Sequence, residues 1–402
     1  MRKWFSLLSA GQRVWLVVTV LIVATVFGAV VVMNSRVEGE VSKTFTTEMP
    51  IRAIAPELGV TGKALARELG LSLDVPKNRA LKELGIQDET LDHAVEHLLS
   101  HKDSSLKYYV FAAIVFGGLV FLTKLGRPDQ SDIKNRRDWY PRAPYIFCLL
   151  ASVIIAGFYL GKSPNPMEGV VKVFKSMVGL YPDPAAKVIA FAFFIVLVVV
   201  GNKMICGWAC PFGALQELIY SLPILRRMKR KKLPFIFTNI VRAGLFLVVL
   251  LVLFGVIGGR EGLVIYHYVN PFNLFNLDFE SISILLTVIL VLVGSFFVYR
   301  PFCQFICPFG LVAWVAERCS IYRVRIDKDK CTQCNACVKA CPLEAAKGRI
   351  AGKKLPADCF SCARCLDTCP VDAIQYGSIF KKPAAQDAAS VERDGAAQGV
   401  DT

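Results

Sequence analysis

CTQCNACVKACP (Cys331–Pro342) and CFSCARCLDTCP (Cys359–Pro370) are the same frame, CxxCxxCxxxCP, written twice. Every thiol in one copy has a counterpart in the other. Three cysteines so closely spaced fit one tight loop and can bind three irons of a single cubane, while the fourth points away and serves the other cluster. By that rule Cys331, Cys334, Cys337 and Cys369 hold one 4Fe-4S cluster, and Cys359, Cys362, Cys365 and Cys341 hold a second. Pro342 and Pro370 end the two loops. Zinc sites typically use two separated pairs, and a disulfide framework needs an oxidising compartment, so the run of four argues against both.

A soluble two-cluster module needs only about the stretch from Tyr322 to Tyr376, and the rest of the 402 residues is apolar. Hydrophobic residues make up 54% of the chain and the mean hydropathy is +0.48, which indicates a membrane protein. Six apolar stretches approach the length of about 20 helical residues that a bilayer core demands. They are Val14–Met33, Tyr108–Thr123, Ala143–Gly161, Val188–Ile205, Ala243–Gly259 and Ser281–Tyr299. Lys107, Lys124, Lys187 and Lys203, at the ends of the two shorter ones, are placed to snorkel to the headgroups. The first stretch is too long for a signal peptide and shows no small-residue cleavage site, so it reads as an uncleaved anchor. The fold class expected is therefore mainly α: a polytopic bundle of about six transmembrane helices with a C-terminal α+β dicluster ferredoxin module.

The net charge of +15 raises the question of nucleic acid, but the basic residues work first as topology signals. Arg127, Lys134, Arg136, Arg137 and Arg142 crowd the loop after the second stretch, and RRMKRKK (Arg226–Lys232) follows the fourth. Both belong inside by the positive-inside rule, where they also meet anionic lipid; no nucleic-acid partner is expected. This puts the N-terminus and the two-cluster module in the cytoplasm of a bacterial cell, on the inner membrane, and residues 34–107, 162–187 and 260–280 outside. None of the 14 cysteines falls in an outer segment, as expected where thiols stay reduced inside.

The chain then divides as follows: residues 1–33, a cytoplasmic start and membrane anchor; 34–107, an outer helical domain; 108–142, a second span and a basic loop; 143–320, a four-helix core; 321–377, the two-cluster domain; 378–402, a small, polar, aperiodic tail expected to be disordered. In the outer domain Thr61 is placed to cap a helix running to Gly70, a short helix with Leu81 and Leu84 stops at Gly85, and a third begins near Asp88. That third helix sets Leu91, Val95 and Leu98 on one face and His93, His97 and His101 on the other. The histidine stripe reads as a metal or haem site or as a solvated face; no carboxylate-rich or CxxCH context supports the former.

From residue 143 the chain repeats. A span, an outer loop with SPNPME (Ser163–Glu168), another span and CGWACPFG (Cys206–Gly213) are followed by a span, an outer loop with YVNPFNLF (Tyr268–Phe275), another span and CQFICPFG (Cys303–Gly310). Two copies in the same order suggest a pseudo-symmetric four-helix bundle. Cys206 and Cys210, like Cys303 and Cys307, are four apart, which in helical geometry sets each pair on one face at the inner membrane boundary. Pro211 and Pro308 would bend or end that turn, and Gly213 and Gly310 would let the chain fold back. Together the four thiolates suit a further iron-sulfur cluster, a soft transition metal or a dithiol/disulfide shuttle; the other reading is that they pack as small buried thiols, as is expected of Cys148 and Cys319. His267, between Tyr266 and Tyr268, is the candidate catalytic residue, accepting a quinol proton because its pKa lies near working pH; an aromatic-belt surface histidine is the other reading.

CGWACPFG, CQFICPFG and the two-cluster frame together resemble the membrane polyferredoxins of the NapH, NosR and CcoG type, over residues 143–376. The resemblance implies electron transfer between the quinone pool and a partner redox protein or subunit, with Cys206, Cys210, Cys303 and Cys307 as the group's characteristic redox or metal cysteines. Residues 34–107 are too short and too helical for the outer FMN-binding domain of NosR-like members, and a tail stands where CcoG-like members have a β-sandwich. NapH-like members share the core layout without the N-terminal anchor and outer domain. Two functions follow as expectations: a quinol dehydrogenase subunit, or an accessory copper reductase or assembly factor driven by ferredoxin electrons, for which the four membrane cysteines handle metal. A redox sensor ranks below both, since no output domain is visible.

Overall fold

The computed structural model describes residues 45–58, 60, 62–71, 75–100, 105–125, 143–162, 164–179, 184–222, 232–257, 265–277, 281–353, 356–371 and 373–380. The expected anchor Val14–Met33, the basic loop 126–142, nearly all of RRMKRKK and the C-terminal tail lie outside the described residues.

Among the described residues three helices are long and apolar enough to cross a membrane: α4 (Ser105–Leu125), α7 (Pro184–Gly201) and α9 (Phe235–Leu253). Two further expected spans appear as shorter apolar helices, α5 (Ala143–Ala151), which continues as a π-helix over Ser152–Tyr159, and α10 (Ile282–Gly294). Residues 45–100 form a small helical unit with its own core of Ile51, Ile54, Leu58, Leu65, Leu81 and Leu91. Its helices are α1 (Ile51–Glu57), α2 (Gly62–Glu68) and α3 (Asp88–Ser100). The 3-10 turn Leu81–Leu84 ends at Gly85, which takes φ 78°, as its sequence suggested. Helix α1 was not expected, because Pro56 interrupts its pattern.

The two repeats interlock. After the first outer loop α6 (Pro166–Met177) begins at Asn165, which caps it by accepting from the Glu168 N–H at 2.8 Å, and packs on α12 (Pro308–Ala316), the helix after the second CPFG. The second outer loop forms a 3-10 helix, Pro271–Asn276, whose Phe272 and Phe275 meet Phe212 of the first CPFG at ring distances of 5.6 and 6.5 Å. Phe275 also fills the space over Gly157, where a Cβ would overlap its ring. The segment after each NP step thus seats the cysteine motif of the other repeat.

The two-cluster domain is tied to the end of α7. Its strands β1 (Tyr322–Ile326) and β2 (Ile374–Ser378) pair antiparallel, Tyr322 opposite Ser378. The Ile321 N–H donates to Val199 O at 2.7 Å and the Tyr376 hydroxyl to Gly201 O at 2.8 Å. Lys203 does not snorkel: it is fully buried, donating to Gly310 O at 3.0 Å and to Asp358. Lys107 is buried as well, donating to Gly161 O. In both cases a carbonyl or carboxylate inside the protein replaces the headgroup layer.

Gly207, inside CGWAC, lies against the backbone of the second cysteine loop, and a Cβ there would overlap the Phe360 carbonyl. Gly207→Ala is expected to lift the two-cluster domain off the helices and to cost about 1–3 kcal/mol, as overpacking does. Limited proteolysis between residues 321 and 380 should accelerate; cleavage at the wild-type rate would show that this contact does not hold the domain.

Candidate metal centres

The two cysteine loops have the same backbone. Gln333 and Asn335 take φ 54° and 59°, and their counterparts Ser361 and Ala363 take 53° and 65°. A left-handed residue without glycine costs about 1–2 kcal/mol, a strain tolerated where a site demands the geometry. The short helices α13 (Ala336–Ala340) and α15 (Arg364–Asp367) follow these turns, with α14 (Ala345–Ile350) between them. An open cavity of about 300 Å³ is lined by Cys331, Cys334, Cys337 and Cys369 with Ile350 and Ile374. A second, of about 530 Å³, is lined by Cys341, Cys359, Cys362 and Cys365 with Leu343 and Phe360. The fourth cysteine of each run thus lies at the other run's cavity.

These hollows suit a cluster by their donor set, four thiols each in a largely apolar wall. Burial pushes the Cys362 thiol up to about 12 against the pull of Arg364, and lifts Cys359 against the pull of Arg349. Thiolates there need a cationic partner, which an iron centre is. The two hollows differ in access. Thr332, Gln333, Cys334 and Asn335 are exposed, whereas Phe360, Ser361 and Ala363 are buried against the helices.

The CxxxCP cysteines are placed otherwise than helical spacing predicts. Cys206 sits in a π-helical turn, Ile205–Ala209, and Cys303 in the short helix α11 (Pro301–Phe305). Cys210 and Cys307 are extended, with ψ 116° and 114°, and cap the next helices, α8 (Pro211–Ser221) and α12. Proline lacks an N–H and is at home in the first turn, so Pro211 and Pro308 start helices rather than end them. Gly213 and Gly310 lie inside those helices. A Cβ on Gly213 would come within 2.8 Å of Cys206 O and 2.9 Å of Arg300 Nη1; one on Gly310 would come within 2.9 Å of both Cys303 O and Arg242 Nη1. Their absent side chains admit two arginines.

The motifs run alongside α5 and its π-helical continuation. The Tyr145 hydroxyl donates to Gly207 O at 3.2 Å and the Ser152 hydroxyl to Ala209 O at 2.5 Å, while Gly157 faces Pro211. Tyr145, Ser152 and Gly157 follow one another along α5 and its π-helical continuation. The chain therefore descends into the bundle, away from the two-cluster domain. There Cys206 lies within electrostatic range of Cys210, Cys303 and Cys307, and Cys307 of Cys210 and Cys303. Gln216 links the repeats, accepting from Phe302 N at 3.0 Å and reaching Cys303 Sγ at 3.6 Å. Among the described residues no three His, Cys, Asp or Glu side chains converge as on a single metal ion.

Two buried ion networks join this thiol group to the two-cluster domain. Arg300 donates to Cys206 O, to Gly207 O at 2.8 Å and to Glu217 at 3.0 Å, and Glu217 also binds Arg364, which stands between Cys362 and Cys365. Arg242 donates to Cys303 O and to Asp358, each at 3.0 Å, and Asp358, just before Cys359, also binds Lys203. Burial raises the Asp358 carboxyl, and Lys203 and Arg242 more than offset this, holding it below the usual carboxylate range. Sequence reading passed over all of these residues except Lys203. Arg242 inside an apolar stretch was the available signal, since ionisable groups there are costly and serve a site. His267 ends a 3-10 turn, Ile265–His267, but its side chain is outside the described residues. His93 is exposed; His97's side chain and His101 are not described.

Residues 183–232 and 281–324 match a family described as "4Fe-4S binding domain", which takes in both CxxxCP motifs, and residues 323–370 match a "4Fe-4S dicluster domain". The chain is an iron-sulfur electron-transport protein. It is similar to proteins named NapH, NosR and YccM, the type to which the sequence pointed. It is 28% identical over 194 residues to an uncharacterized protein of Methanocaldococcus jannaschii, covering 48% of this chain and 69% of that one. It is 26% identical over 186 residues to the putative electron transport protein YccM of Escherichia coli (44% and 52%). With the ferredoxin-type protein NapH of Haemophilus influenzae it shares 28% over 180 residues (43% and 59%). The match thus spans little more than half the length of YccM and NapH. No solved structure matches the chain.

Glu217→Gln should leave Arg300 and Arg364 without their carboxylate and cost about 3–5 kcal/mol, the usual result of breaking a buried ion pair. Thermal unfolding in detergent checks this, and a melting temperature unchanged from wild type would mean that the network is not a support.

Proposed function

We propose that the protein passes electrons between the quinone pool and a partner redox protein, by way of the two cysteine cavities and the thiol group of Cys206, Cys210, Cys303 and Cys307. The contact of Gly207 with the Phe360 carbonyl carries this reading, because it brings the CxxxCP backbone against the second cysteine loop. Two 4Fe-4S clusters, bound by Cys331, Cys334, Cys337 and Cys369 and by Cys359, Cys362, Cys365 and Cys341, supply one-electron carriers. A third iron-sulfur centre at the CxxxCP thiols is supported by the family match over both motifs. The residues of the chain hold these thiols, exclude water from them and keep the cationic side chains of Arg242, Arg300 and Lys203 beside them.

A hydrocarbon core is about 30 Å thick, so a module on one side cannot alone serve a quinol headgroup on the other. The descent of the CxxxCP chain into the bundle shortens that gap. In this reading the module faces the cytoplasm of a bacterial inner membrane, residues 34–107 lie outside, and His267 accepts the quinol proton.

Anaerobic EPR of the purified protein, titrated with a reduced quinone analogue and then with dithionite, is the test. Cluster signals that appear with quinol are expected, and Cys206→Ala should keep both module clusters while lowering quinol-driven reduction at least tenfold. Signals seen only with dithionite, or a Cys206→Ala rate equal to wild type, would overturn the quinone-linked relay. Copper bound at the four thiols would instead favour the metal-reductase function.

A further inference from the structure

Of the two cysteine loops, the first has the more exposed centre. Around the cavity of Cys331, Cys334, Cys337 and Cys369 the exposed centre, Thr332 to Asn335, is uncharged. Its surroundings are basic. Between residues 328 and 353 the exposed charged side chains are Lys328, Lys339, Lys347 and Lys353 against Asp329 alone. The other acid of that stretch, Glu344, is part-buried and accepts from Phe235 N at 2.9 Å. Along the chain the lysines lie beside the first loop: Lys328 precedes Cys331 by three residues, Lys339 follows Cys337 on α13, and Lys347 lies one turn before Ile350, on a helix that also lines the second hollow through Ala345, Ala346 and Arg349. The second loop, by contrast, faces the helices, with Phe360 and Arg364 buried.

We propose that this basic rim is the docking surface of a small, acidic, soluble one-electron carrier protein, which exchanges single electrons with the protein at the Cys334 side. The inference rests on the iron-sulfur reading given above and specifies its partner. The reduced carrier loses one electron and leaves oxidised by one; the module gains it, and no bond or proton is transferred. Charge complementarity of this kind acts on the encounter rate, which therefore falls with salt. Lysines are suited to it, being strongly hydrated point charges that a transient partner can meet without burying them.

The test is stopped-flow absorbance with the full chain in nanodiscs and a dithionite-reduced acidic two-cluster bacterial ferredoxin as the probe. The second-order rate should fall about tenfold or more between low and high salt, and fall about tenfold at low salt in Lys339→Glu/Lys347→Glu. Reduction of the same variant by photoreduced deazaflavin monitors cluster content, and Lys339→Arg/Lys347→Arg should restore the carrier rate. A rate indifferent to salt and to charge reversal overturns the docking surface. So does a rate suppressed only in anionic nanodiscs, which would assign the lysines to lipid headgroups. Absence of any cluster signal with deazaflavin would instead defeat the iron-sulfur reading itself.

Discussion

The architecture depends on charge compensation in a place without water. Arg242, Arg300, Arg364 and Lys203 are all buried, and they are neutralised by Glu217 and Asp358, with Glu317 at 3.7 Å from Lys203. An isolated charge in such surroundings carries a penalty of several kcal/mol, so each network is stable only when complete. Arg364 and Asp358 belong to the module; Arg242, Arg300, Lys203 and Glu217 belong to the helices. The two parts are therefore one electrostatic unit, and the rings of Phe360, Tyr299 and Tyr220 around the guanidinium groups seal it, with Arg300 4.9 Å from the Phe360 centroid.

The same groups shape the thiol site. Arg300 and Arg242 serve the two motifs alike: each donates to the carbonyl of the first cysteine of a CxxxC and lies under the glycine of a CPFG. Four thiolates in an apolar bundle would repel one another, and cations held beside their backbone oppose that repulsion. Seating of each motif by the segment after the other repeat's NP step then fixes how deep the sulfurs lie. Position, charge and exclusion of water thus come from the same few side chains.

Much of this was legible in the sequence, and the reasons differ by feature. Metal ligation fixes spacing, so the doubled cysteine frame foretold two four-thiol hollows with their fourth members crossed. The turn at Leu81–Gly85 and the apolar runs of α4, α7 and α9 followed from local pattern. The error over CxxxCP came from weighing helical spacing above proline: a Cys-Pro step favours an extended cysteine followed by a new helix. Asp358 and Glu217 were not recoverable, because a carboxylate's partner 116 or 83 residues away leaves no trace in one chain's local pattern. The interlocking of these post-NP segments with CPFG motifs is hidden for the same reason, although the matched NP and CP steps already marked the four segments that meet.

Arg242 has a further consequence for biogenesis. Its carboxylate partner, Asp358, is made 116 residues later and belongs to the module that carries the cysteine loops. Until that segment has been synthesised and folded, the helix bundle contains a guanidinium without its counter-ion, at the site where the four thiols gather. The charge pair at this site is therefore complete only once the last part of the chain is in place.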